Sequence, residues 1–161
     1  MLQKKLIVHV SDAKISKNPD DLLITYSLGS CIGVCIYDPM LSIGGLLHYQ
    51  LPESKLDLEK ARMRPFMFAD SGMKTLLNEM TSLGSQVRNL KVKIAGGASM
   101  NGSPKGFDIG KRNHLAIRKI LWKNQLFISG EDIGGHLPRN LSLQLSDGTV
   151  TVKTGGVEKN L

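Results

Sequence analysis

Two short segments hold the residues of this 161-residue chain best suited to chemistry. Thr25-Tyr26-Ser27-Leu28-Gly29-Ser30-Cys31 is a small polar loop between apolar runs that ends on one of two cysteines. Gly44-Gly45-Leu46-Leu47-His48-Tyr49 carries one of four histidines at the end of another run. A thiol attacks carbonyl carbon as its thiolate, and an imidazole beside it is the usual proton acceptor. Gly29 and Ser30 let the backbone approach a substrate closely, and N–H groups at such a turn can hold an oxyanion.

The pair must be brought together by the elements that carry it. Residues 32–37 and 43–49 are apolar runs of strand length, most simply paired across the turn at residues 38–42. A hairpin centred between Met40 and Leu41 sets Cys31 opposite Tyr49, next to His48, with a bulge or one-residue slip allowed. Two readings of Cys31 then stand. It is either a small buried hydrophobe, as Cys35 is inside its run, or a nucleophile presented at the mouth of the run after flexible residues.

Further strands are expected at residues 6–10, 22–26, 92–95, 126–129, 141–145 and 150–153, the last two joined as a hairpin through Ser146-Asp147-Gly148. Two segments keep helical spacing instead. In residues 65–83, Ala69, Met73, Leu76, Leu77 and Met80 share one face, with Pro65 fitted to the first turn and Gly84 to the stop. In residues 109–124, Ile109, Ala116, Ile117, Ile120 and Leu121 form an apolar stripe, while Lys111, Arg112, Arg118, Lys119 and Lys123 make the outside basic. That basic side reads either as a solvated face or as a docking surface. The expected fold is α+β: a single domain over residues 1–161, with a mostly β-sheet core and two packed helices.

The bulk composition narrows the function classes. With 41% hydrophobic and 22% charged residues the chain is that of an ordinary globular protein. No apolar run approaches the roughly 20 residues of a membrane span, and the N-terminus lacks a signal-peptide core, so neither membrane insertion nor export is expected and the cytoplasm is the assigned compartment. There the thiols stay reduced. On one strand Cys31 and Cys35 stand roughly 13 Å apart, too far for a disulfide, and no second Cys or His pair completes a metal site. A net charge of +7 favours an anionic partner, and without basic and aromatic clustering an acidic protein is preferred to nucleic acid.

The remaining motifs are weaker. Gly97-Ala98-Ser99-Met100-Asn101-Gly102 has the glycine spacing of a phosphate loop, but Ser103-Pro104 stand where Lys and Ser or Thr are needed, so it reads as a glycine-rich turn. His9, His114 and His136 read as structural or exposed.

Taken together, "LITYSLGSCIGVCIYD" followed by "GGLLHYQLP" resembles the chemoreceptor glutamine deamidases of the CheD family. "RPFMFADSGMKTLLNEM", "KIAGGASM", "FDIGKRN", "EDIGG" and "DGTVTVK" resemble that family's later blocks in the same order, so the likeness covers nearly the whole chain. The resemblance implies a Cys-His-Thr site at Cys31, His48 and Thr25, with Gly29 and Ser30 in the oxyanion or substrate loop, and a fold similar to the cytotoxic necrotizing factor catalytic domain. It implies a protein-glutamine glutaminase in chemotaxis, acting on the cytoplasmic helices of methyl-accepting chemotaxis receptors without metal or organic cofactor. A CheC-type phosphatase is a further implied partner. A non-catalytic adaptor and hydrolysis of receptor methyl esters are the competing readings. Leu47 and "GGHLPRN" depart from the family pattern at the rim of the site.

Overall fold

The computed structural model describes residues 2–100 and 108–161. Its strands are β1 (Lys4–Ile7), β2 (Asp12–Ser16), β3 (Asp21–Leu28), β4 (Ile32–Asp38), β5 (Ile43–Tyr49), β6 (Lys91–Gly96), β7 (Ile128–Ile133), β8 (Arg139–Gln144), β9 (Val150–Thr154) and β10 (Val157–Asn160). Its helices are α1 (Leu58–Met63), α2 (Ala69–Ser82) and α3 (Ile109–Lys123). The strands form two five-stranded sheets, ordered β1-β3-β8-β9-β10 and β2-β5-β4-β6-β7.

Two apolar clusters set the layering. One joins Val34, Ile36, Leu47 and Tyr49 of the second sheet to Met73, Leu76 and Met80 of α2 and Ile117 and Leu121 of α3. The other joins Cys35, Tyr37 and Leu46 to Leu23, Leu141, Leu143 and Val152 of the first sheet. The second sheet is therefore covered on both faces, by helices on one side and by the first sheet on the other. This is why every residue of β4 and β5 is buried and why both read as near-continuous apolar runs. The first sheet keeps one face toward solvent, and β3 and β8 alternate accordingly.

The α+β expectation holds, with three differences. A third helix, α1, buries no residue and so lacks an apolar stripe to announce it; its cap is the Asp57 side chain, which accepts from the Lys60 N–H at 3.0 Å. β2 and β10 are edge strands, and β10 is exposed throughout, so neither carries the alternation of a half-buried strand. The β4–β5 hairpin is centred between Met40 and Leu41 as expected, but that centre pairs Ile32 with Tyr49 and Gly33 with His48, so the expected pairing of Cys31 with Tyr49 is one residue off. On the outside of α3, Lys111, Lys119 and Lys123 are exposed, and Arg118 faces Glu131 at 3.6 Å. Of the glycine-rich motif, Asn101, Gly102, Ser103 and Pro104 lie outside the described residues.

Candidate active site

His48 lies on the face of β5 that meets the first sheet, as do Leu46 and Gly44, whose added Cβ would strike Leu143 and Leu145. Cys31, immediately before β4, packs on the same inter-sheet cluster. With Gly33 opposite His48, Cys31 is the diagonal neighbour of His48 on that face. Such positions lie roughly 7–8 Å apart, within reach of an aromatic ring. Gly33 places no side chain between them, and an added Cβ would come within 2.6 Å of Leu141 Cδ2 and 3.0 Å of Leu28 Cδ1. The missing side chain therefore also lets the first sheet close onto the second.

Thr25 arrives from that first sheet. It is an inward residue of β3, fully buried like His48. Its Oγ1 donates to the Val8 carbonyl at 2.7 Å and lies 2.7 Å from His48 Nδ1. The hydroxyl has one proton, and a carbonyl can only accept, so the second contact must be donated by Nδ1–H. That fixes the imidazole tautomer: Nε2 carries the lone pair. Nε2 is buried and has no hydrogen-bond partner among the described residues.

Both titratable groups rest neutral. Burial pulls His48 down to about 4, with the Asp12 charge a smaller opposing influence. Burial likewise pushes the Cys31 thiol up to about 11, its own backbone N–H acting weakly the other way. Cys35, 1% exposed, is raised further, with the Lys93 charge opposing. A neutral thiol beside a neutral imidazole suits proton transfer during attack rather than a standing ion pair.

The loop before Cys31 is held by its carbonyls. Gly29 C=O accepts from Ala98 N–H at 2.9 Å and Cys31 C=O from Gly97 N–H at 2.9 Å. Ser30 C=O accepts from Asn113 Nδ2 at 3.0 Å. The Gly97 and Ala98 N–H groups of the glycine-rich turn are thus spent on the cysteine loop, and Ser99 N–H is donated to Gly135 C=O. The close approach depends on Gly96, at φ +119°, where a Cβ would sit 2.1 Å from the Cys31 carbonyl oxygen. Gly110 at the start of α3 does the same against Ala98 and Gly97, where its Cβ would meet carbonyl oxygens at 2.4 and 2.6 Å.

The structure therefore brings Thr25, Cys31, His48, Gly29 and Ser30 to one end of the inter-sheet space. His9 and His136 are exposed, and His114 lies 3.5 Å from Glu131. No group of three or more His, Cys, Asp or Glu suited to a metal ion occurs among the described residues. Sequence reasoning missed Gly33, Gly96 and Asn113. A signal for Asn113 exists: it falls four residues after Ile109 and four before Ile117, a polar residue within the apolar stripe.

The family model for CheD, described as CheD chemotactic sensory transduction, matches residues 50–154. The "Probable chemoreceptor glutamine deamidase CheD 1" of Syntrophus aciditrophicus is 48% identical, over 94% of this chain and 94% of its own. The "Probable chemoreceptor glutamine deamidase CheD" of Solibacter usitatus is 44% identical, over 98% of this chain and 94% of its own. Among solved structures, a Neisseria meningitidis protein of family-model DUF152 aligns with a TM-score of 0.46 and 10% identity, covering 83% of this chain and 63% of that one.

Proposed function

This chain belongs to the CheD family, and we propose that it deamidates glutamine side chains of chemoreceptors through a thioester on Cys31. The observation that carries this reading is the fixed tautomer of His48, whose bare Nε2 lies on the same face as the Cys31 thiol. As Sγ attacks the amide carbon, its proton passes to Nε2 and a tetrahedral oxyanion forms. The C–N bond then breaks, the imidazolium returns the proton to the departing nitrogen, and ammonia leaves. Water, deprotonated by the same Nε2, attacks the thioester; the C–S bond breaks, the sulfur regains a proton, and the glutamine has become glutamate.

Thr25 holds the ring through this cycle, because its hydroxyl accepts from Nδ1–H in both the neutral and protonated states. The net positive charge of the chain suits receptor helices that gain a carboxylate at each turnover. Binding to a CheC-type phosphatase is part of the same reading and is tested by co-elution of the two purified proteins.

The direct test is mass spectrometry of a chemoreceptor cytoplasmic fragment incubated with the protein. Each converted glutamine adds about one dalton, and Cys31→Ala abolishes the gain. Conversion that survives Cys31→Ala rules out the thioester. A fragment left unchanged by the parent protein favours the adaptor reading instead.

A further inference from the structure

An oxyanion needs donors already in place when the charge forms. In a trans peptide the C=O and the following N–H point in opposite directions. The Gly29 and Ser30 carbonyls are both drawn to buried donors, Ala98 N–H and Asn113 Nδ2. The Ser30 and Cys31 N–H groups must then face the other way. Neither donates to another described residue, and the Cys31 N–H lies against its own sulfur.

Asn113 is the one side chain in this arrangement. It is fully buried, and both protons of its amide are used, on Ser30 C=O at 3.0 Å and Gln50 C=O at 2.8 Å. One amide thus ties the loop that ends in Cys31 to the residue that follows β5, two positions after His48. Its own backbone carbonyl accepts from the buried Tyr49 hydroxyl at 2.6 Å, which anchors this turn of α3 against the strand of the base. The side-chain oxygen Oδ1 is buried with no partner among the described residues, so the amide is placed for its donors.

We propose that Asn113 is a positioning residue, which by holding the Ser30 carbonyl inward fixes the Ser30–Cys31 peptide with its N–H at the sulfur as the oxyanion donor. This rests on the deamidase reading for its biological substrate, but it makes a claim about Cys31 chemistry that needs no receptor. Two reactions of the same thiol separate the role from plain support of the fold. Alkylation by iodoacetamide displaces iodide at a saturated carbon and forms no oxyanion. Acyl transfer from p-nitrophenyl acetate forms an S–C bond, passes through an oxyanion, breaks the ester C–O bond and releases p-nitrophenolate, with the thiol proton taken by His48.

The experiment measures both rates in the full chain, with the Cys31→Ala background subtracted. In Asn113→Ala, acyl transfer falls on the order of 100-fold, the scale of one misplaced oxyanion donor, while alkylation stays within about threefold of the parent. Tyr49→Phe keeps the core volume and releases only the anchor of α3, so it lowers acyl transfer about 3- to 10-fold with alkylation unchanged. It decides the matter alone should Asn113→Ala fail to fold. Parallel loss of both reactions, unchanged acyl transfer in both variants, or a parent acylated no faster than Cys31→Ala each overturns the proposal. Failure of the deamidase reading shows separately, as a receptor fragment left unconverted by a parent protein that p-nitrophenyl acetate still acylates at Cys31.

Discussion

Removing the Thr25 hydroxyl tests the tautomer argument at its origin. The hydroxyl is fully buried and makes two contacts of 2.7 Å, donating to Val8 C=O and accepting from His48 Nδ1–H. Thr25→Ala strands both. The Val8 carbonyl has no escape, and an orphaned buried acceptor costs about 1–3 kcal/mol, equivalent here to a Tm lower by about 2–4 °C per kcal/mol. The imidazole does have an escape, since its proton can move to Nε2, but that converts the base into a donor facing the thiol. If the lost hydrogen bond had favoured the Nδ1–H tautomer by about 1.4–2.7 kcal/mol, deamidation slows about 10- to 100-fold. Thr25→Ser keeps the oxygen and stays within about threefold of the parent. The assay is turnover of a receptor fragment followed by mass, with thermal unfolding run on each variant. Thr25→Ala and Thr25→Ser both matching the parent would refute the reasoning and leave Cys31 and His48 as the working pair.

Because His48 is held at about 4 and Cys31 at about 11, kcat/KM runs flat from about pH 5 to 10; an acid limb centred near 6.5 would place the imidazole in solvent instead. The same shift affects stability. Between about pH 6.5 and 4 the unfolded chain binds a proton that the folded chain refuses, so stability falls with pH by about 3 kcal/mol at most, and His48→Gln removes that part of the acid sensitivity in urea titrations. Iodoacetamide labels Cys31 far faster than Cys35, which is 1% exposed and more strongly raised by burial; peptide mapping showing equal rates contradicts this. Gly96→Ala drives a Cβ to 2.1 Å from the Cys31 carbonyl at a positive φ, so it costs about 2 kcal/mol or more of stability and at least tenfold in turnover; a silent substitution would mean that the turn is free to move.

The readability of this chain followed burial. β4 and β5 sit in a sheet covered on both faces, so their apolar runs were plain, and the helical stripes of α2 and α3 carried the same message. β2 was missed because its residues are mostly half-buried at an edge, and β10 because Val157–Asn160 are all exposed. Cys31 and His48 were legible from residue type and the hairpin turn, although the pairing was counted one residue off: a turn centred between Met40 and Leu41 sets Ile32, not Cys31, opposite Tyr49. The Thr25 contact was not legible from spacing. It joins strands of different sheets, and only the family resemblance pointed to it. Asn113 was hidden for a similar reason: its partners are backbone carbonyls far away in sequence, at Ser30 and Gln50.

The hydrogen bond from His48 to Thr25 crosses between two sheets that hold separate sets of backbone ladders. Sheets of this kind can open as distinct cooperative units, each keeping its own strands paired while the contact between them is lost. In such an opened form the circular dichroism of the strands persists, yet water enters beside Gly33, the ring turns freely and its affinity for protons returns toward that of an ordinary histidine. Turnover is therefore a sensitive gauge of whether the two layers are closed. In a urea titration it should vanish before the strand signal does, and before hydrogen exchange sets in at the amides of the β3–β8 pair, which stay bonded within one sheet in the opened form.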